Sequence, residues 1–197
     1  MIIGLFGGTF DPPHKGHSGI LKAASRTSFF DKIIIIPAAV PARKSIYKVS
    51  MPSYRYEMLK IWLSSNRSDL PDHTELSDLE LKRTETSYTI DTIRELKSLF
   101  GIKTRIYLIC GSDLISEIES WHRPEDILRE AGIFAAIRPG IEPAATYAKT
   151  KELKERFSAD IVFFESPQTD VSSAQIRQII SDNNSYTEGM LPDTLGQ

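Results

Sequence analysis

The chain has a single cysteine, Cys110, in 197 residues. That excludes an intrachain disulfide and a thiolate metal cluster. An excess of one charge is also missing: 24 Lys and Arg against 26 Asp and Glu leave a net charge of -2. Nucleic-acid binding through bulk charge is therefore disfavoured, and any cationic function has to come from a local cluster. No apolar run reaches membrane-spanning length, and the amino-terminal residues lack a signal-peptide pattern. There is no internal repeat and no low-complexity tract. What remains is ordinary: 41% hydrophobic and 25% charged residues, in a length that suits one domain with a real core. The expectation is a soluble, cytoplasmic protein with no nucleic acid and no membrane among its partners. One domain over residues 1–182 would be followed by a polar, loosely ordered tail at 183–197.

Short apolar runs alternate with helical patterns. Residues 2–6, 33–36, 105–110, 132–137 and 160–164 read as strands, and their unbroken rather than alternating character suits a parallel sheet covered on both faces. The more alternating stretch TELSDLEL, residues 74–81, fits an edge strand. Helices are expected over 16–30, 54–63, 87–100 and 172–181, with another ending at 127–131. Gly101 would stop the third of these, and Ser172-Ser173-Ala174-Gln175 fits a capping box. This succession implies an α/β, doubly wound, mostly parallel Rossmann-like sheet with helices on both faces. Ligands of such sheets bind beyond the carboxyl ends of the strands at the switch in strand order, so the loop after the first strand is the place to look.

That loop reads GGTFDPPHKGH, residues 7–17. Gly7 and Gly8 let backbone approach a ligand closely, and Pro12-Pro13 stiffen the segment. The glycine spacing matches neither common phosphate loop. His14-Lys15-Gly16-His17 opens a helix whose first N–H groups favour an anion, and the two imidazoles can donate to phosphate oxygens. A metal pair is the weaker reading because a third ligand is not apparent.

The whole string resembles the GGTFDP-x-H-x-GH signature of the nucleotidyltransferase superfamily that transfers a nucleotide from its triphosphate. The segment Asp170-Val-Ser-Ser-Ala-Gln-Ile-Arg177 resembles that superfamily's I-S-S-T-x-I-R segment, with Val171 for Ile and Ala174 for Thr. Further pieces resemble the nicotinate-nucleotide adenylyltransferase family. Pro37-Ala-Ala-Val-Pro41-Ala-Arg-Lys44 is similar to P-x-x-x-P-x-H-[KR], with Arg43 where the family has His. Arg83-Thr-Glu-Thr-Ser87-Tyr88-Thr89-Ile90-Asp91-Thr92 is similar to R-x-x-x-S-Y-T-x-x-T-L. Gly111-Ser112-Asp113 followed by Trp121 is similar to G-x-D…W, and Arg138-Pro139-Gly140 also recurs. The resemblance spans about residues 2 to 180.

The resemblance implies adenylyl transfer from ATP to nicotinate mononucleotide, with His14, His17, Lys44 and Arg177 as catalytic residues. It implies ATP contacts at Gly7, Gly8, Thr9, Phe10, His14, His17, Gly111, Asp113, Ser172, Ser173 and Arg177. The mononucleotide would meet Lys44, Ser87, Tyr88, Thr89, Ile90, Asp113, Trp121 and His122. Mg²⁺ would arrive with the substrate, with no metal site on the protein. The residues themselves add three expectations. Trp121 sits partly exposed on a loop, suited to stacking on a ring. Asp113 lies at the carboxyl edge of the sheet, within reach of ribose hydroxyls. Cys110 is buried and inert. The competing readings are a relative with another acceptor, such as phosphopantetheine or an alcohol phosphate, and a nucleotide-binding module without turnover. Homo-oligomerisation stays open.

Overall fold

The computed structural model describes residues 1–42, 49–137, 143–167, 169 and 171–182. The strands are β1 (Ile2–Gly8), β2 (Lys32–Pro37), β3 (Thr74–Leu76), β4 (Arg105–Gly111), β5 (Gly132–Ile137) and β6 (Ile161–Glu165). They form one sheet in the order β3-β2-β1-β4-β5-β6, and every pairing is parallel. The helices are α1 (Lys15–Arg26), α2 (Pro52–Ser65), α3 (Thr89–Phe100), α4 (Asp113–Glu117), α5 (Pro124–Glu130), α6 (Pro143–Phe157) and α7 (Ser173–Ser181).

The isoleucine run of β2 shows why the sheet is buried twice over. Side chains alternate along a strand, so a run with no polar member must find apolar cover on both sides. Ile34 and Ile36 join a core with Ile93 of α3, Ile115 of α4, Leu128 of α5 and Leu153 of α6. Ile33 and Ile35 join the opposite core, with Leu21 of α1 and with Leu59 and Trp62 of α2. The chain leaves β1 for β2 on one side and returns through β3 and α3 to β4 on the other. The strand order therefore switches between β1 and β4, and the crevice opens beyond their carboxyl ends.

Two expectations need correction, and one helix is additional. The first helix ends at Arg26, four residues short of Phe30. The Thr27 N–H closes it on the carbonyls of Ala24 and Ser25, Ser28 turns left-handed at φ 53°, and Phe30 goes into the core. The stretch 74–81 pairs only over Thr74–Leu76; a 3₁₀ turn at Glu80–Lys82 follows, and Glu80 turns inward. α6 was not legible as a helix, because its charged residues give only a weak apolar stripe centred on Leu153. Gly101 ends α3 as expected, at φ 100°, where any side chain is strained. The tail 183–197 and Arg138-Pro139-Gly140 lie outside the described residues.

Candidate active site

One cavity of about 490 Å³ opens at the strand switch. Gly7, Gly8 and Thr9 line one wall. Ser87, Tyr88 and Thr89, at the start of α3, line another together with Trp121 and His122. Pockets that bind nucleotide-sized ligands occupy roughly 300–1,000 Å³. A Cβ at Gly7 would meet no atom within 4 Å, so the backbone there faces open space.

The next residues fold back to start α1, and two histidines cap it. His14 is the N-cap: its Nδ1 accepts the Gly16 N–H at 3.1 Å, and the Nδ1 of His17 accepts the His14 N–H at 3.1 Å. This is a capping box in which imidazoles replace the usual hydroxyl and carboxamide. Each Nδ1 is an acceptor, so the proton of each neutral ring belongs on Nε2. The two rings lie 3.8 Å apart, and His17 also packs on Phe10 at 4.9 Å. Phe10 is 2% exposed and adopts φ 51°. Its ring belongs to the core, so only its backbone can reach a nucleotide.

Distant segments hold this loop in place. Arg177 Nη1 donates to the Asp11 carbonyl at 2.6 Å, and Ser173 Oγ donates to the Pro12 carbonyl at 2.9 Å. Both come from one face of α7, which Ser172 and Gln175 cap reciprocally as expected. Arg177 remains 38% exposed along its side chain. Of the three carboxyl-terminal residues expected at ATP, Ser173 and Arg177 thus meet the histidine loop directly, and Ser172 is engaged in the helix cap.

On the wall formed by the start of α3 with Trp121 and His122, Ser87 is buried; its Oγ accepts the Ala39 N–H at 3.2 Å. Glu80 lines the cavity nearby and accepts from Thr92 Oγ1 at 2.6 Å. Burial pushes its carboxyl above the ordinary carboxylate range, against hydrogen bonds from Thr92 and Ser87 and the charge of Arg83. The side chain of Ile90 is fully buried, so only its helix-start N–H is left for a ligand. Trp121 follows the 3₁₀ turn Ile118–Ser120, is half-buried against the core, and its Nε1 is buried without a hydrogen-bond partner among the described residues. The rings of Tyr88 and His122 stack at 4.1 Å and 26°, joining the two segments of this wall. Gly111 ends β4, and Asp113 opens α4 in an exposed position. Cys110 is only half-buried and lines the cavity, which corrects the expectation of a buried thiol. Lys44 lies outside the described residues.

Sequence reasoning missed Arg55, Glu80 and the Tyr88–His122 stack. An arginine within a helical apolar face is a signal that could have found Arg55; Glu80 lay inside a stretch read as a strand. Among the described residues, no group of three or more His, Cys, Asp or Glu could hold a metal ion. No described helix is long and apolar enough to cross a membrane.

Comparison with known proteins places this geometry among relatives. The cytidylyltransferase-like family model matches residues 5–179. A protein of Carboxydothermus hydrogenoformans named "Probable nicotinate-nucleotide adenylyltransferase" is 34% identical, over 94% of this chain and 89% of its own length. One of the same name from Caldicellulosiruptor saccharolyticus is 35% identical over the same shares. The Plasmodium falciparum nicotinic acid mononucleotide adenylyltransferase complexed with NaAD has a similar fold, with a TM-score of 0.78 at 22% identity, over 99% of this chain and 92% of that one.

Proposed function

Because the chain belongs to the nicotinate-nucleotide adenylyltransferase family of cytidylyltransferase-like proteins, we propose that it transfers the adenylyl group of ATP to nicotinate mononucleotide. The products are nicotinate adenine dinucleotide and pyrophosphate. The observation that carries this reading is the cavity itself: a glycine-lined backbone wall faces an aromatic wall across one space, and the chain runs from that backbone directly into a histidine-capped helix.

In the reaction, a phosphate oxygen of the mononucleotide attacks the α-phosphorus of ATP. The bond from that phosphorus to the bridging oxygen of the β-phosphate breaks, and pyrophosphate leaves with the electron pair. No protein nucleophile is required. The work of the protein is in-line positioning and stabilisation of charge moving toward pyrophosphate. His14 and His17 supply Nε2–H donors aimed by their backbone-bound Nδ1 atoms. Arg177 supplies a guanidinium beside the same loop. Lys44 is assigned to the reacting phosphates as a cation. Mg²⁺ would be carried by the triphosphate rather than held by a protein cage, and would supply charge neutralisation for its phosphates. Asp113 is assigned to ribose hydroxyls. Trp121 stacks on the pyridine ring, whose carboxylate accepts from the N–H groups of Thr89, Ile90 and His122.

The test is release of pyrophosphate from ATP. It is expected only when nicotinate mononucleotide is present; release without acceptor, or none with it, would reject the reading.

A further inference from the structure

Arg55, on α2, is 0% exposed, although a fully buried arginine is rare and costly to desolvate. Its donors go to the backbone carbonyls of three different segments around the cavity. Nη1 reaches Thr9 at 2.7 Å, Nη2 reaches Ala39 at 3.0 Å, and Nε reaches Ser50 at 2.9 Å. We propose that Arg55 is a positioning residue that locks the phosphate-loop wall and the acceptor wall of the cavity into one arrangement. This inference rests on the adenylyl-transfer reading above.

Each contact leads to the site. Thr9 lines the cavity and precedes Phe10, whose left-handed φ of 51° is unfavourable for an aromatic residue. Arg55 holds the carbonyl before that turn, and Arg177 holds the Asp11 carbonyl after it. The two arginines therefore clamp the turn that delivers His14 and His17. On the other side, the N–H of Ala39 donates to Ser87 Oγ, and the N–H of Ser87 donates to the Val40 carbonyl. Through Ala39, Arg55 thus fixes where the acceptor wall begins. Ser50 closes the circuit: its carbonyl takes Arg55 Nε while its N–H donates to the buried carboxylate of Asp11 at 3.0 Å. Burial depresses the basicity of Arg55, and the charges of Asp11 and Glu80 oppose that effect.

Residues of α2 around Arg55 are themselves fixed. Leu59 and Trp62 are buried, and Trp62 Nε1 donates to Ser18 Oγ of α1 at 2.8 Å. The guanidinium is a rigid fork, and three divergent carbonyls can be met at once only by such a fork. A lysine keeps the charge but cannot span all three.

The experiment compares wild type with Arg55→Lys and with Ile161→Ala. Ile161 is a buried residue at the start of the edge strand β6, at the end of the sheet away from the cavity. Both variants lower the melting temperature. Below both melting temperatures, Arg55→Lys is expected to lose about tenfold or more in kcat/KM for ATP and for the mononucleotide, because misplaced walls spoil in-line geometry. Ile161→Ala should keep wild-type values. Wild-type kcat/KM in Arg55→Lys, or an equal loss in Ile161→Ala, overturns the proposal. Arg55→Gln, which still offers amide donors, is the second variant; if neither Arg55 variant reaches the wild-type circular dichroism spectrum, Arg55 serves the fold and the positioning proposal fails. A wild-type protein without turnover would reject only the adenylyl-transfer reading. Calorimetric binding of ATP then tests Arg55 alone. Weaker binding by about tenfold is expected in Arg55→Lys and not in Ile161→Ala, and equal affinities in all three proteins overturn it.

Discussion

Replacing His17 separates two roles that the structure gives one ring. Its Nδ1 accepts the His14 N–H at 3.1 Å and completes the cap of α1. Its faces pack on His14 at 3.8 Å and on Phe10 at 4.9 Å. His17→Ala removes a capping acceptor, worth about 1 kcal/mol, and ring contacts worth roughly another 1 kcal/mol. For a chain of this size, a loss near 2 kcal/mol lowers the melting temperature by roughly 4–8 °C. The protein stays folded, but less comfortably than a surface imidazole would suggest. Turnover should fall by about a hundredfold or more through loss of the Nε2–H donor. His17→Asn puts an amide oxygen where Nδ1 stood. It should regain most of the capping contribution, seen as recovery of about half the lost melting temperature, while turnover stays low. His17→Gln, whose amide nitrogen approaches the Nε2 position, should regain part of the turnover. Scanning calorimetry and initial rates read the two effects separately. Recovery of turnover in His17→Asn, or near-normal rates in folded His17→Ala, would refute the assignment of the Nε2 donor.

Other outcomes follow from the same site. Arg177→Ala should weaken ATP binding by about tenfold or more, since a charge-assisted contact is worth about 1.5–3 kcal/mol, and Arg177→Lys should restore it only partly; equal calorimetric affinities would count against the assignment. Nicotinate mononucleotide should be preferred to its amide analogue by at least about tenfold in kcat/KM, because the amide nitrogen sets a donor against backbone donors; equal use of the two would defeat the recognition model and leave the transfer chemistry untouched. Glu80 has its folded-state acidity weakened by burial, so it binds protons more tightly folded than unfolded. Its ionisation therefore costs stability as pH rises above the ordinary carboxylate range. Glu80→Gln should melt higher than wild type at neutral pH, with the gap closing in acid; a gap independent of pH would contradict that sign.

The sheet was legible because the strand runs are unbroken, with an uninterrupted run of isoleucines in β2, and such runs suit a doubly covered parallel sheet. Ser172-Ser173-Ala174-Gln175 was read as a cap, and it is one. The histidine loop was legible as a site, but not the backbone acceptors that orient its rings, because no spacing rule covers an imidazole acting as an N-cap. Phe10 shows the limit of reading a motif as a contact list: its ring packs under the loop. Arg55 and Glu80 escaped because their meaning lies in contacts across 12 to 46 positions of the chain. The helix 143–157 escaped because it is mostly solvent-facing, and solvated faces leave weak periodicity.

The central claim is tested most directly by product identification after incubating the protein with ATP, Mg²⁺ and nicotinate mononucleotide. Chromatography with mass detection should show nicotinate adenine dinucleotide and pyrophosphate in equal amounts, with neither formed when phosphopantetheine replaces the mononucleotide. Dinucleotide absent from the reaction, or an adenylylated phosphopantetheine formed as readily, would contradict it.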